Sequence, residues 1–388
     1  MKIKLFSIAF LFVFSFGFAQ QLQLSPEATI SVLTIGPGDN LNDSFGHNAF
    51  RIKDTARGID LVYGYGEYDF DAPNFYLKFA QGKLNYLISK TEFSRFYNFY
   101  VHYDRTIKEQ VLNLTIAEKE RLFNYLQTNY QPENRRYLYD FFYDNCATKI
   151  RDVAEIATNS AIEYQTPENF EPKTFRTLIH DQVGLNTWGS FGIDIALGSV
   201  IDQEATAREH MFLPKYIHAF FAEAQLNSSK PLVKRSSILY QSQQEESSNF
   251  LLSPLMIIGF ISLIIIYITY KDSKNNDRSK WLDISLFGIT GLVGIVILLL
   301  WFATDHSATA QNYNVLWAVP LNLLVIAQLF KTRVKNWFRG YLKFLVIMLT
   351  LMTLHWCIGV QVFALALIPL MIALLIRYIY LLRYFKTK

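Results

Sequence analysis

The chain has 388 residues, a formal net charge of +4 and a hydrophobic fraction of 51%. Charge is unevenly distributed, because residues 20–249 carry 22 basic and 29 acidic side chains whereas residues 250–388 carry 13 basic and 4 acidic ones. An acidic N-terminal part without a basic stripe disfavours nucleic acid as a partner. The two cysteines, Cys146 and Cys357, lie one in each part, which excludes a disulfide within the N-terminal part.

Residues 1–19 have the pattern of a secretory signal peptide. Lys2 and Lys4 precede an apolar run, and Gly17 and Ala19 place small residues at the −3 and −1 positions of a cleavage site. The apolar run of about 15 residues is short for a membrane span. We therefore predict cleavage after Ala19 and export of the mature chain.

The exported domain is predicted to cover residues 20–225 and to begin with strands. ATISVLTIGPGD (28–39) alternates into a Gly-Pro turn, and GHNAFRIKD (46–54) and GIDLVYGYGEYDF (58–70) form a pair joined by a hairpin-type loop. A further strand is expected near the end of residues 91–114. These patterns predict a sheet that carries His47 at the start of one strand.

Two amphipathic helices follow the strands. In residues 115–130, Thr115 can cap a helix and Glu118 follows three residues later. In DNCATKIRDVAEIA (144–157), a helix begins at Asp144 or Asn145 and turns Ile150, Val153 and Ile156 inward. Cys146 therefore lies in the first turn of a helix.

Cys146 has three possible roles. A buried structural cysteine is the commonest case. A zinc ligand would need further Cys or His residues at short spacing, and none accompany Cys146. A nucleophile would profit from the helix N-terminus, which favours the reactive thiolate. Papain-type chemistry requires a cysteine at a helix start and a histidine on an adjacent strand, so His47 is the candidate base.

The C-terminal part is predicted to cross a membrane after a polar linker at residues 226–249. Five apolar runs near the length of a span occur at 250–270, 281–303, 315–331, 340–359 and 361–382. The loops at 271–280 and 331–343 are basic, whereas the loop at 304–314 has no Lys or Arg. Because basic loops stay in the cytoplasm, residues 20–249 and the 304–314 loop should both lie on the outer face.

The order of these motifs resembles the circularly permuted papain-like (NlpC-related) fold of lecithin:retinol acyltransferase and its relatives, with "GH" on an early strand and "NC" opening a helix. The resemblance implies an α+β exported domain, and the apolar runs add an all-α transmembrane bundle of about five helices after it. In that family a third residue, often His, lies on the strand after the first histidine. Here that strand is GIDLVYGYG, where Asp60 is the nearest substitute and Tyr63 and Tyr65 lie behind it.

The complete layout resembles the Lnb-type lipoprotein N-acyltransferases through most of residues 25–388. The matching features are the signal peptide, FGHNAFRI, DLVYGYGEYDF, PNFYLKFAQGKLNYLI, YDNCATKIRD, FLPKYI and a multi-span C-terminus. The resemblance implies transfer of an acyl chain from a phospholipid to the α-amine of a diacylglyceryl-cysteine lipoprotein. It also implies a bacterial inner-membrane protein with a periplasmic catalytic domain and no cofactor.

The catalytic residues expected from this resemblance are Cys146, His47 and Asp60. Residues expected to bind substrate are Asn145, Tyr63 and Tyr65, together with His306 and Asn312 of the 304–314 loop. Two other classes of function are compatible with the same residues. One is a thiol hydrolase, either a cell-wall peptidase or amidase or a phospholipase, and the other is a non-catalytic envelope protein in which Cys146 is only packed.

Overall fold

The structure, a computed structural model, describes residues 23–227, 229–243, 250–331 and 333–386. The predicted signal peptide and residues 244–249 of the predicted linker lie outside this part of the chain. The strands are, in chain order, β1 (Thr29–Ile35), β2 (His47–Asp54), β3 (Ile59–Tyr68), β4 (Asn85–Glu92), β5 (Ile107–Leu112), β6 (Arg136–Leu138), β7 (Ile162–Glu163), β8 (Gln225–Leu226), β9 (Lys230–Pro231) and β10 (Val233–Tyr240).

Seven of these strands form one antiparallel sheet in the order β10-β5-β1-β2-β3-β4-β6, and β7, β8 and β9 form a small second sheet. The predicted strands at 28–39, 46–54 and 58–70 are confirmed as β1, β2 and β3. The hairpin pairs Phe50 with Tyr63. Residues 233–240 of the predicted linker are instead the edge strand β10, so the exported domain continues beyond residue 225.

The helices of the exported domain cover both faces of the sheet. They are α1 (Phe75–Ala80), α2 (Phe93–His102), α3 (Ile116–Tyr130), α4 (Cys146–Ala157), α5 (Phe175–Val183), α6 (Trp188–Ala196), α7 (Ala207–His210) and α8 (Pro214–Glu223). On one face, Phe50 and Tyr63 pack with residues of α3, α4 and α8 in the main core. On the other face, Ala49 and Val62 pack against α2. Because successive side chains of β2 point to opposite faces, this strand contributes to the packing on both sides of the sheet.

The two helices predicted from sequence are confirmed as α3 and α4. Thr115 and Glu118 form the predicted capping box of α3. In α4, Ile150 and Val153 are buried, but Ile156 is half exposed and its predicted inward position is wrong. The lobe that contains α5 and α6 has its own cluster of aromatic and aliphatic side chains.

The C-terminal part contains α9 (Pro254–Asn275), α10 (Lys280–Phe302), α11 (Asn322–Leu329), α12 (Asn336–Cys357) and α13 (Leu367–Tyr384). Within the described ranges, four of these helices, all but α11, are long and apolar enough to cross a membrane. The predicted span at 315–331 is not a single helix. It consists of a 3-10 turn at Tyr313–Leu316, an irregular stretch around Pro320, and the eight residues of α11.

This broken segment nevertheless runs along α10. The Ala318 carbonyl oxygen lies 2.0 Å from where a Cβ at Gly294 would be, Asn322 donates to the Thr290 hydroxyl at 2.8 Å, and Arg278 donates to the Leu329 carbonyl at 2.7 Å. Irregular backbone at membrane depth is tolerated where protein covers it. The five predicted crossings are therefore compatible with four long helices and one interrupted segment.

Candidate active site

Cys146 is the first residue of α4, and Asn145 forms the cap that fixes this start. The Asn145 side-chain oxygen accepts from the backbone N–H groups of Ala147 (2.8 Å) and Thr148 (2.9 Å). The Asn145 amide nitrogen donates to the carbonyls of Phe141 (2.7 Å) and Phe212 (2.8 Å). Because these bonds occupy both ends of a buried amide, Asn145 holds the helix start in place, and its substrate-binding role stays a prediction.

His47 is the first residue of β2, and the start of this strand lies against the start of α4. The backbone N–H of Asn48, the next residue, is one of the groups that act on the Cys146 sulfur. Both Cys146 and His47 are partly buried. The structure therefore brings together the two residues that the sequence motifs singled out.

The thiol is neutral at rest. Burial raises the pKa of Cys146 to about 11, although the N–H groups of Asn48, Ala147 and Cys146 itself and the charge of Arg105 lower it. The sequence predicted that the helix N-terminus would favour the thiolate. The N–H groups at the helix start do lower the pKa of Cys146, as predicted, but desolvation outweighs them in the resting site.

The imidazole is also neutral at rest. Burial and then the charge of Arg105 lower the pKa of His47 to about 4, and Asp43 acts in the opposite direction. A neutral imidazole can accept a proton, which is the state a general base needs. At neutral pH the site therefore holds a thiol beside a free base rather than an ion pair.

Arg105 is a site residue that sequence reasoning missed. Its Nη1 donates to Asp43 Oδ1 at 2.9 Å and its Nε donates to the Gly36 carbonyl at 3.0 Å. The guanidinium carbon lies 4.9 Å from the centre of the Tyr100 ring. Asp43 and Arg105 are 62 residues apart in sequence, so no local pattern could have paired them. The Arg105 charge acts on both candidate catalytic groups and favours negative charge at the sulfur.

Gly66 and Tyr139 form one wall beside the thiol. A side chain at Gly66 would meet the Tyr139 ring at 3.7 Å and the Cys146 Cβ at 3.8 Å, and its φ is +96°. Burial and then the neighbouring Cys146 raise the pKa of Tyr139 well above its ordinary value. Because Gly66 has no side chain, the space between β3 and the start of α4 stays open beside the thiol.

Asp60 does not orient His47, and this prediction is wrong. Asp60 pairs with Lys53 in the β2–β3 register, six residues along β2 from His47, which corresponds to roughly 20 Å. Its carboxylate accepts two bonds from Arg51, both at 2.7 Å. Asp43 and the Ser89 hydroxyl lie closer to the imidazole, since Ser89 Oγ and His47 Nε2 each lie 3.2 Å from where a Cβ at Gly64 would be.

Tyr63 and Tyr65 are core residues rather than substrate contacts. Both are almost fully buried in the cluster between the sheet and the helices. The Tyr65 hydroxyl donates to Asn129 at 2.7 Å. The structure thus accounts for both side chains by packing, and their role in binding substrate stays a prediction.

The 304–314 loop lies against the exported domain, on the side that the loop charges predicted. Asn312 is buried, and its Nδ2 donates to the carbonyls of Ile195 (2.8 Å) and Ala196 (3.1 Å). Its side-chain oxygen accepts from the Asn314 N–H at 3.0 Å. His306 is exposed and contacts the turn at Gly82. Asn312 therefore joins the two domains, and the contacts of Asn312 and His306 with substrate stay predictions.

Within the described residues, no group of three or more His, Cys, Asp and Glu side chains is arranged to hold a metal ion. The polar groups of the site are instead the thiol, the imidazole and the Asp43–Arg105 pair. Such a set can activate a nucleophile and stabilise negative charge without a cofactor.

Comparison with known families follows the same division of the chain. Residues 19–181 match the Lnb N-terminal periplasmic domain, and residues 244–388 match the Lnb transmembrane domain. A search of the curated proteins found no match, and neither did a search of the solved structures.

An α+β periplasmic domain carried on a helical transmembrane bundle defines a membrane-anchored envelope protein. The chain belongs to the Lnb family, since the two matches leave only residues 1–18 and 182–243 outside them. Membership in this family indicates a membrane-anchored enzyme that modifies lipoproteins.

Proposed function

We propose that the protein is a lipoprotein N-acyltransferase of the bacterial inner membrane and that Cys146 carries the acyl group as a thioester. The donor is a phospholipid and the acceptor is the α-amine of a diacylglyceryl-cysteine lipoprotein. The observation that carries the proposal is the contact between the helix start at Cys146 and the strand start at His47, in a site where the imidazole is a free base.

The first half-reaction forms the thioester. His47 accepts the Cys146 proton as the sulfur attacks the ester carbonyl of the phospholipid. The carbon–oxygen bond of the ester then breaks, and the departing lysophospholipid oxygen takes the proton from His47. Division into two steps replaces one difficult acyl exchange by two easier ones.

The second half-reaction forms the amide. His47 accepts a proton from the lipoprotein α-amine as its nitrogen attacks the thioester carbonyl. The carbon–sulfur bond then breaks, and the proton passes from His47 to the sulfur. The enzyme returns to its neutral resting state, with no net uptake of protons.

Negative charge on the carbonyl oxygen in both steps needs donors nearby. The N–H groups of Asn48, Cys146 and Ala147 surround the sulfur, and the Arg105 charge lies close to them. Fixed donors of this kind stabilise a developing oxyanion strongly in a site from which water is excluded.

The location of the site suits a donor held in a bilayer. Asp140 begins the turn that leads into α4. It accepts a hydrogen bond at 3.0 Å from Ser307, which lies in the 304–314 loop between two membrane segments. Ser307 follows the end of α10 by five residues. The thiol is thereby held near the level where the acyl ester of a phospholipid lies.

The thioester can be trapped directly. Purified protein incubated with phospholipid but no amine should gain one acyl mass on the peptide that contains Cys146, and neutral hydroxylamine should release it. Cys146→Ala should remove the adduct and leave lipoproteins with a free α-amine in cells, whereas the matched variant Cys357→Ala should retain both activities. Undiminished N-acylation by Cys146→Ala would refute the nucleophile. Release of fatty acid without amide formation would indicate a hydrolase instead.

His47→Ala should slow formation of the adduct by about 10²- to 10⁴-fold, the usual cost of losing a general base. The rate is measured by intact-protein mass spectrometry at short times. His102→Ala, which removes an exposed imidazole at the end of α2, serves as the control and should change the rate little. Equal rates for His47→Ala and the native protein would remove His47 from the mechanism.

A further inference from the structure

Helix α1 exposes an unusual number of large apolar side chains for its length. Tyr76, Leu77 and Phe79 are 84%, 57% and 46% exposed, and Phe70, just before the helix, is 71% exposed. Phe75 is partly buried between them. Contiguous exposed apolar side chains mark a surface that binds another apolar surface.

The position of α1 identifies that surface. The carbonyl of Gln81, the residue after α1, accepts from the Asp305 N–H at 2.8 Å, and Gly82 lies against His306. Asp305 follows the end of the membrane helix α10 at Phe302 by three residues. Since six helical residues are only about 9 Å long, all of α1 lies close to the level at which α10 leaves the bilayer.

A row of rings connects α1 with the thiol. The Phe75 ring lies 6.1 Å from that of Tyr68, Tyr68 lies 5.0 Å from Tyr86, and Tyr86 stacks on Tyr139 at 4.2 Å. Tyr139 and Cys146 both lie next to Gly66, each within 4 Å of where a Cβ at Gly66 would be. The row therefore runs without a gap from the level of the membrane surface to the candidate nucleophile.

We propose that α1 and Phe70 insert into the outer surface of the bilayer and that the aromatic row from Phe75 to Tyr139 guides a phospholipid acyl chain to Cys146. The occupant is the lipid bilayer rather than a second protein, because the surface continues directly from the membrane-spanning part of this chain. Aromatic side chains favour this interfacial level. The guiding role rests on the proposed function, whereas insertion of α1 does not.

Insertion is tested without any chemistry at the site. The full chain, with Cys146→Ser and Cys357→Ser, is spin-labelled at Tyr76→Cys or Phe79→Cys and placed in phosphatidylethanolamine–phosphatidylglycerol vesicles. Both labels should be reached by oxygen and shielded from a water-soluble nickel reagent. The control is Ile156→Cys, an exposed apolar position at the far end of α4 from Cys146. Labels at 76 and 79 that are as accessible to nickel as the label at 156 would overturn the proposal. So would labels shielded only after a lipoprotein is added, since a protein would then be the occupant.

The guiding role is tested by comparing two acyl donors. Tyr68→Ser, which removes a ring from the middle of the row, should reduce the rate of adduct formation from bilayer phospholipid by about tenfold or more, because the acyl chain loses apolar contact midway to Cys146. The rate with a water-soluble short-chain ester should not change, and Ile156→Ser should change neither rate. Equal losses with both donors, or no loss with either, would overturn guidance. If the labels at 76 and 79 insert into the bilayer but the native protein forms no adduct, the proposed function alone is refuted.

Discussion

At the scale of single residues, the site combines a thiol with a raised pKa and an imidazole with a lowered one. Burial dominates both shifts, and the Arg105 charge opposes the first and adds to the second. Between about pH 4 and pH 11 the neutral pair predominates. In the proposed mechanism the thiolate therefore forms only as His47 takes the proton during attack on the acyl donor, which limits reaction of the resting site with other electrophiles.

This resting state predicts a specific pH dependence of alkylation. In Cys357→Ala protein, the rate of reaction of Cys146 with iodoacetamide should rise with pH and level off only near pH 11, where the thiol ionises. Free cysteine levels off near its ordinary pKa of about 8.5. Mass spectrometry of the Cys146 peptide gives the rate. A plateau near pH 6 would show a thiolate–imidazolium pair and contradict the neutral site.

Gly66 allows a test of the space beside the thiol. Gly66→Ala should slow thioester formation strongly, because a methyl group would stand between Tyr139 and Cys146 and because φ of +96° strains an L-residue. Gly58→Ala is the matched control, since Gly58 has φ of +63° but no neighbour within 4 Å of its added methyl. Both variants should lose stability by about 1–2 kcal/mol, as measured by thermal unfolding. If Gly66→Ala and Gly58→Ala change the rate of adduct formation equally, the open space beside the thiol is not needed for the reaction.

At the scale of the elements, the sequence predicted the features that depend on residues close together in the chain. It did not predict pairings between distant segments. The hairpin β2–β3 and the capped helices α3 and α4 are specified by residues within about 25 positions of each other, and sequence predicted them. β10 pairs with β5 across more than 100 residues, and its polar, Ser-rich sequence resembled a linker because one edge of the strand has no neighbour in the sheet. Arg105 was missed for the same reason, since only the fold brings it to His47.

The third catalytic residue shows how a family resemblance can mislead. Asp60 lies on the expected strand, but β3 runs antiparallel to β2 and carries Asp60 to the opposite end from His47. Counting positions along the chain did not reveal this register. Asp60 instead neutralises the buried Arg51 in an ion pair, and Arg51 also bonds Glu109 at 3.1 Å.

The cap of α4 connects folding with the site. Asn145→Ala should lower the free energy of unfolding by about 1–2 kcal/mol, since it removes the cap and leaves the carbonyls of Phe141 and Phe212 without the amide donor. Asn145→Asp keeps the acceptor for Ala147 and Thr148 but not the two donated bonds. Denaturant unfolding should rank native above Asp and Asp above Ala. An Ala variant as stable as the native protein would show that the helix start needs no cap.

At the scale of the whole molecule, the exported domain is fixed to the bundle rather than tethered by a flexible linker. Trp188 donates to the Leu252 carbonyl at 2.9 Å, and Asn314 donates to the Asp194 carbonyl at 2.8 Å. Gly198 donates to the Ala308 carbonyl at 2.9 Å. Sequence predicted the side of the membrane from loop charge, but it could not predict this docking, which depends on the backbone carbonyls of Leu252, Ala308 and Asp194.

Fixed docking matters for the proposed function because its acyl donor is confined to the bilayer whereas the thiol belongs to a water-exposed domain. Asn312→Ala combined with Asn314→Ala removes the hydrogen bonds to Asp194, Ile195 and Ala196 while leaving the catalytic residues untouched. We expect slower adduct formation from bilayer phospholipid, by about tenfold, since each lost bond to a buried carbonyl costs roughly 1 kcal/mol or more. The rate with a water-soluble ester should stay the same.

The control for this last prediction is Gln311→Ala on the same loop. The Gln311 side chain is exposed, and its backbone carbonyl, which accepts from Ser199 at 3.0 Å, is unaffected by the change. Both proteins are compared in vesicles of the same composition by mass spectrometry of the Cys146 peptide. If the double asparagine variant reacts with bilayer phospholipid as fast as Gln311→Ala does, then the spans need only hold the domain near the membrane, and a fixed height of the thiol is not required for acyl transfer.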